Sequence, residues 1–225
     1  MGQDKVHIML QKLTAEFIGT FALVFCGTGT IIIDQETNGA VTHAGIALTF
    51  GAIVTAMVFA FGKISGAHLN PAVSLALRTT NKIDNKILFS YTGIQTAGAF
   101  TASALLKFLF PANISLGSTI PAGSDMQSFL LEVVLAFILM LVIFFVSENA
   151  DEKSVSPAIA IGATVGLEAM FAGPICGASM NPARSLAPAL LSGNTQHLWI
   201  YLTAPFSGTL LAVVIYQFIY VGNKN

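Results

Sequence analysis

One stretch of ten residues occurs twice in this chain, and it constrains the fold more than any other feature. Residues 66–75 read GAHLNPAVSL and residues 177–186 read GASMNPARSL, so each copy places Asn-Pro-Ala behind a Gly-Ala pair. Asn is a strong helix N-cap, and Pro suits the first helical position. Each copy therefore predicts a loop that turns directly into a helix. The first backbone N–H groups of such a helix are free and carry a partial positive charge.

The composition places these helix starts in a membrane protein. Of the 225 residues, 54% are hydrophobic and 9% are charged, whereas soluble domains carry roughly 25% charged residues. The net charge of −1 argues against a nucleic-acid partner. Because a bilayer span needs about 20 apolar residues, the sequence predicts six spans. They lie near residues 10–33, 40–61, 86–108, 127–146, 156–172 and 197–221.

The helices that follow the two Asn-Pro-Ala sequences are too short to span. They cover residues 70–78 and 181–191, and at about 1.5 Å per residue each reaches about 15 Å, half of the hydrocarbon core. The preceding segments, residues 63–69 and 173–180, are rich in Gly, Ser and Ala and predict irregular backbone. Such backbone is tolerated at membrane depth where protein buries it or where it lines a water-filled cavity. We therefore expect two re-entrant half-helices beside a pore or in the core.

The two halves of the chain predict an inverted repeat. Each half has three spans and one half-helix, so the second half enters the membrane from the opposite side. The expected fold is an all-α integral membrane bundle of six transmembrane helices plus two re-entrant half-helices. It forms a single domain over residues 1–225, with repeats at about 1–112 and 113–225. Glu16 and Glu132 occupy equivalent positions. Each could relay protons, but we favour structural acids that accept hydrogen bonds from the irregular loops.

The basic residues predict the orientation, since Lys and Arg concentrate in cytoplasmic loops. If both termini share a side, Lys107 and Arg184 lie opposite all the other basic residues, which predicts cytoplasmic termini. Those others are Lys5, Lys12, Lys63, Arg78, Lys82, Lys86, Lys153 and Lys224. Arg184 sits within the second half-helix, where a cation is costly and usually functional. The alternative, an Arg that reaches the membrane surface, fits its apolar neighbours less well.

These features resemble the aquaporin (major intrinsic protein) family, and most closely its nodulin-26-like branch and related prokaryotic members. The resemblance covers nearly the whole chain. It is carried by Asn70-Pro71-Ala72 and by Asn181-Pro182-Ala183 followed by Arg184. It implies a multi-pass homotetramer in the plasma membrane with a pore in each subunit for water and small neutral solutes. It implies no cofactor, no metal and no enzymatic activity.

The resemblance also implies where the permeant is selected. Counted from the two Asn residues, the family's narrowest point corresponds to Phe50, Ala169, Ala178 and Arg184. The backbone carbonyls expected to offer acceptors along the pore belong to Gly66, Ala67, His68, Gly177, Ala178 and Ser179. Strict water channels carry His where this chain has Ala169, whereas glycerol facilitators carry a small residue there. Phe50 could equally be an ordinary core or lipid-facing aromatic.

Several functions remain open at this point. A water channel comes first, and a facilitator for glycerol, ammonia, urea or metalloid hydroxides comes second, although Ser185 and Ala189 follow the water-channel pattern. A coupled transporter would place carboxylates at the broken helices, where this chain has the neutral Asn70 and Asn181. A junction protein with a closed pore is the fourth reading. Glu168, next to the expected filter, is interpreted as a structural group that hydrogen-bonds the second loop, a neighbouring helix or another subunit.

Overall fold

The computed structural model describes residues 2–148 and 155–221 and is helical in the order the repeat predicts. The first half contains α1 (Gly2–Glu36), α2 (Thr42–Ser65), α3 (Pro71–Thr79) and α4 (Asn85–Leu109). The second half contains α5 (Asp125–Glu148), α6 (Ser156–Cys176), α7 (Pro182–Ser192) and α8 (Leu198–Tyr216), which ends in a short π-helical turn, Gln217–Val221. Lys153 and Lys224, two of the expected cytoplasmic cations, lie outside the described residues.

The helices pack as two equivalent sets. Helix α1 contacts α2 and α4, and α5 likewise contacts α6 and α8. The halves join through α2 against α6, while the half-helices α3 and α7 cross over to α8 and α4 of the opposite half. This pattern confirms the predicted aquaporin-like bundle with its inverted repeat.

The long helices have the length and hydropathy expected of membrane spans, except that α4 is less hydrophobic. Among the described residues, α1, α2, α5, α6 and α8 are long and apolar enough to cross a bilayer. Helix α4 has 25 residues and reaches about 37 Å, but it falls short in hydropathy. It buries Gln95 and Ser103, so these two polar side chains lie in the protein interior.

Glycines allow the closest helix contacts, as is common in membrane bundles. A Cβ at Gly98 of α4 would lie 2.6 Å from the Phe17 carbonyl oxygen of α1. The equivalent Gly208 of α8 would meet the Val133 carbonyl oxygen of α5 at 2.2 Å. The same close approach is therefore built into both halves.

The irregular segments are shorter than the sequence predicted. Helices α2 and α6 continue to Ser65 and Cys176, so the expected irregular starts at residues 63 and 173 are wrong. Each helix ends at a glycine in the left-handed region, Gly66 with φ 91° and Gly177 with φ 82°. Glycine adopts this conformation without a steric penalty and is the usual helix stop. The loops before the half-helices are therefore residues 66–70 and 177–181.

Candidate functional site

The two half-helices begin as the repeated sequences predict. Asn70 and Asn181 have extended backbones, and Pro71 and Pro182 occupy the first helical positions. The Asn70 side-chain oxygen accepts a hydrogen bond from the Ala72 N–H at 2.9 Å. The Asn181 oxygen accepts in the same way from the Ala183 N–H at 3.0 Å. Both asparagines therefore act as N-caps and use their side-chain oxygens for that purpose.

The amide nitrogens of the two asparagines tie the halves together. Asn70 Nδ2 donates to the Met180 carbonyl, and Asn181 Nδ2 donates to the Leu69 carbonyl, each at 2.8 Å. These reciprocal bonds hold the two loops against each other at the centre of the bundle. An amide carries two N–H groups, so one from each Asn is used here. The sequence predicted that these donors point into the gap, and one N–H per asparagine is left for that role.

The loops ahead of the half-helices share an unusual backbone conformation. Ala67 and Leu69 have φ angles of 46° and 52°, and Ala178 and Met180 have φ angles of 41° and 53°. Non-glycine residues in the left-handed region are strained by about 1–3 kcal/mol each and persist only where neighbouring groups fix them. Something must therefore hold both loops in place.

Two buried glutamates hold these loops. Glu16 accepts hydrogen bonds from the backbone N–H groups of His68 (2.9 Å) and Leu69 (2.8 Å). Glu132 accepts the equivalent pair from Ser179 (2.7 Å) and Met180 (2.8 Å). Both carboxylates are fully buried. The hydrogen bonds are those expected of structural acids at equivalent repeat positions.

Side chains of the two loops also make equivalent hydrogen bonds. His68 Nδ1 lies 3.0 Å from Ser74 Oγ. Six residues apart in the same way, Ser179 Oγ lies 2.6 Å from Ser185 Oγ. Ser185 also accepts from the Thr119 hydroxyl at 2.8 Å. The serine that follows Arg184 is thus part of the loop support, which explains a hydroxyl at that position.

A cavity of about 970 Å³ leads from one end of the bundle to its centre. Its mouth is lined by residues such as Lys63, Lys82 and Pro157, and its inner end reaches Phe50 and Arg184. Along the way it contacts both half-helix starts. The pore residues among its lining are Gly66, Ala67, His68, Asn70, Ser179 and Asn181. The half-helix starts therefore face a continuous space.

The inner end of the cavity is closed by an aromatic ring and a guanidinium. The Arg184 guanidinium carbon lies 5.2 Å from the centre of the Phe50 ring. Arg184 is 1% exposed and donates from Nη1 to the Gly117 carbonyl at 2.9 Å. Its Nε has no hydrogen-bond partner among the described residues. Phe50 and Arg184, two of the four residues expected at the filter, therefore lie next to each other.

Sequence reasoning missed two residues that shape this point. Gly117 belongs to the α4–α5 connection and holds Arg184 through its carbonyl. Gly27 of α1 leaves the space that the Phe50 ring fills, since a Cβ there would lie 2.2 Å from the ring. A glycine inside an apolar span was the available signal for Gly27, whereas a carbonyl in a connecting loop has no sequence signal.

Three of the expected pore residues, Ala169, Gly177 and Ala178, are not among the residues that line this cavity. Ala169 and Ala178 are both 7% exposed and share a buried cluster with Cys176 and Met180. That all six loop carbonyls line the passage stays a prediction.

Glu168 differs from the expected structural role. It is 7% exposed, and neither of its carboxyl oxygens has a hydrogen-bond partner within residues 2–148 and 155–221. Among these residues, the predicted hydrogen bonds to the second loop or to a neighbouring helix are therefore absent, and the hydrogen bond to another subunit stays a prediction.

The fold and the facing half-helices define a membrane channel of the aquaporin kind. Over the part of the chain that the structure describes, no group of three or more His, Cys, Asp or Glu side chains could hold a metal ion. The sequence pattern of the family described as "Major intrinsic protein" matches residues 4–216. The chain belongs to the major intrinsic protein family, whose members are channels and not enzymes.

Individual relatives agree with this assignment. Aquaporin NIP1-1 of Oryza sativa subsp. japonica is 41% identical over 216 residues, which cover 96% of this chain and 76% of that protein. Nodulin-26 of Glycine max is 37% identical over 216 residues, which cover 96% of this chain and 80% of that protein. The solved aquaglyceroporin from Plasmodium falciparum superposes with a TM-score of 0.83 at 28% identity, over 92% of this chain and 95% of that one. These relatives confirm the resemblance to the nodulin-26-like branch.

Proposed function

We propose that this protein is a passive transmembrane water channel that also conducts small neutral solutes and excludes ions and protons. The observation that carries the proposal is the pair of capped half-helices, whose Asn70 and Asn181 amides border one cavity. Each amide keeps one N–H beyond the bond that ties the loops. A water molecule between them accepts through its oxygen, and its hydrogens turn away from the centre.

The same arrangement opposes cations. Each helix start carries roughly half a positive charge, and two of them face the passage at Asn70 and Asn181. Arg184 adds a full charge at the Phe50 end of the cavity. A hydronium or metal cation therefore meets repulsion twice, whereas a neutral molecule meets hydrogen-bond donors.

The second candidate is a facilitator mainly for glycerol or another small uncharged solute, such as ammonia, urea or a metalloid hydroxide. The small side chains of Ala169 and Ala178 favour it, because they leave room beside Phe50 and Arg184. The likeness to a protein described as an aquaglyceroporin also supports it. Ser185 and Ala189 favour a water channel, since glycerol facilitators usually carry Asp and a basic residue at these two positions.

The assembly and placement belong to the same proposal. By family resemblance the channel is a homotetramer in the plasma membrane. The Lys and Arg distribution supports cytoplasmic termini, which puts the cavity mouth at Lys63 and Lys82 on the cytoplasmic side. Residues 1–225 act as one channel domain built from repeats at about 1–112 and 113–225.

Stopped-flow light scattering on proteoliposomes tests this proposal. A sucrose gradient reports water permeability, and a glycerol gradient on the same vesicles reports solute permeability. We expect water flux well above that of empty vesicles, with measurable glycerol flux. Water flux equal to that of empty vesicles would overturn the water-channel proposal, and glycerol flux that exceeds water flux relative to those controls would favour the facilitator.

A further inference from the structure

Glu168 stands apart from the other two buried acids of the bundle. Glu16 accepts from the Ser65 hydroxyl and the Gln95 amide in addition to two backbone N–H groups, and Glu132 accepts from two backbone N–H groups. Glu168 is just as enclosed, yet among the described residues neither of its oxygens has a partner. A buried carboxyl without a partner is costly in either protonation state, because at least one oxygen must accept a hydrogen bond. Such a group calls for a water or solute partner.

The position of Glu168 on α6 places it near the channel wall. Ala158, Ile161 and Val165 line the cavity at spacings of three and four residues, as one face of a helix does. Continuing that stripe by seven residues from Ile161 gives Glu168, rotated by only about 20°. The lipid-exposed side of α6 lies elsewhere, since Leu167 is 70% exposed. Glu168 therefore extends the cavity-lining face beyond Val165.

The height of Glu168 matches that of the expected filter. It follows Val165, the last α6 residue on the cavity, by three residues, which is about 4.5 Å along the helix. Its neighbour Ala169 is the expected filter residue of α6. Because that side chain is a single methyl group, it takes up little space at the level of the carboxyl.

The filter residues leave a chemical gap that this carboxyl fits. Arg184 offers hydrogen-bond donors, but Phe50, Ala169 and Ala178 have no side-chain acceptor. A molecule that carries hydroxyl or amide N–H groups needs both a donor and an acceptor when it gives up its water shell. The nearest side-chain acceptor without a partner on this helix is the Glu168 carboxyl.

We propose that Glu168 is a further selectivity-determining residue, which accepts hydrogen bonds from polyols and amides at the level of the filter. The inference rests on the proposed function, because it requires an open passage for solutes. The carboxyl oxygens are closed off in the structure, so rotation about the side-chain bonds brings them to the passing molecule. Water has less need of this contact, because its O–H groups can donate to the neighbouring water molecules in the passage.

Glycerol, urea and water permeabilities of Glu168 variants in proteoliposomes test the proposal. Glu168→Met removes the acceptor while the side chain keeps nearly the same size. We expect the glycerol and urea permeabilities to fall about tenfold, the equivalent of about 1.4 kcal/mol. The water permeability of Glu168→Met should differ from that of the wild type by less than about twofold. Glu168→Gln keeps one acceptor oxygen and should lie between Glu168→Met and the wild type. Leu167→Ala, which alters the adjacent lipid-facing side chain, is the matched control and should leave the ratio unchanged.

A second variant keeps the test decisive if Glu168→Met fails to fold. Ala169→Val adds two methyl groups at the expected filter position beside the carboxyl, and it should lower the glycerol-to-water ratio while Glu168 is retained. Infrared difference spectra give a readout besides flux: adding glycerol should shift the carboxyl band of the wild type, and Glu168→Gln should lack that shift.

The outcomes separate the two proposals. Wild-type vesicles that pass neither water nor glycerol overturn both. Wild-type flux of both, with an unchanged glycerol-to-water ratio in folded Glu168→Gln and Ala169→Val, overturns the role of Glu168 alone and leaves the channel intact.

Discussion

Replacing Gly27 by Ala should close the channel partly by moving one aromatic ring. An added Cβ would lie 2.2 Å from Phe50 Cε1 and 2.4 Å from Cζ, whereas carbon atoms that are not bonded rest about 3.5–4.0 Å apart. The ring must therefore shift by about 1.3–1.8 Å. Helix α1 blocks one direction, and the cavity that Phe50 lines is open on the other. The ring is thus expected to move toward the passage that it bounds together with Arg184.

The size of the effect follows from this shift. A displacement of about 1.3–1.8 Å is roughly half the diameter of a water molecule, whose radius is about 1.4 Å. Overpacking of this kind costs about 1–3 kcal/mol. If that energy appears as a barrier to passage, water permeability falls roughly 5- to 150-fold, since each 1.36 kcal/mol is tenfold in rate.

Stopped-flow measurements on proteoliposomes with equal protein content check this prediction. Gly93→Ala is the matched control, because a Cβ at Gly93 of α4 meets nothing within 4 Å, and its water permeability should equal that of the wild type. Replacing the ring by a smaller side chain in the double variant Gly27→Ala/Phe50→Val should restore the water flux. A folded Gly27→Ala channel as fast as the wild type, or a double variant as slow as the single one, would refute the reasoning.

Substitutions at three further positions test other parts of the site. Glu132→Ala leaves the buried N–H groups of Ser179 and Met180 without acceptors and should destabilise the protein by about 2–6 kcal/mol, at about 1–3 kcal/mol each. Glu132→Gln should destabilise the protein by about half of that amount. If both variants unfold in detergent at the same temperature as the wild type, the structural role is contradicted. Arg184→Val should raise cation or proton leak into vesicles loaded with a pH-sensitive dye; an unchanged leak would count against its role. Ala169→His should reduce glycerol flux more than water flux in stopped-flow traces, and an equal loss would mean that the filter is misplaced.

Local sequence determined the overall plan of this protein. The Asn-Pro pairs at Asn70 and Asn181 fixed where the half-helices begin, because N-capping and the proline φ angle are properties of a few adjacent residues. The lengths of the apolar runs predicted the spans, because bilayer thickness sets a minimum length. The odd number of spans in each half then required the inverted repeat. Glu16 and Glu132 were recognisable as loop supports because irregular backbone in a membrane must find partners.

Tertiary structure decided what the passage looks like. Helices α2 and α6 run on to Ser65 and Cys176 because packing and a glycine stop override the weak helix preference of their last residues. The fit of Phe50 into the space at Gly27 depends on two helices meeting at one height. The absence of a partner for Glu168 depends on every neighbour that folding brings near it. Such facts arise from contacts between residues far apart in the chain, and no local pattern encodes them. The sequence thus places the chain among membrane channels, whereas the shape of the passage depends on where distant side chains meet.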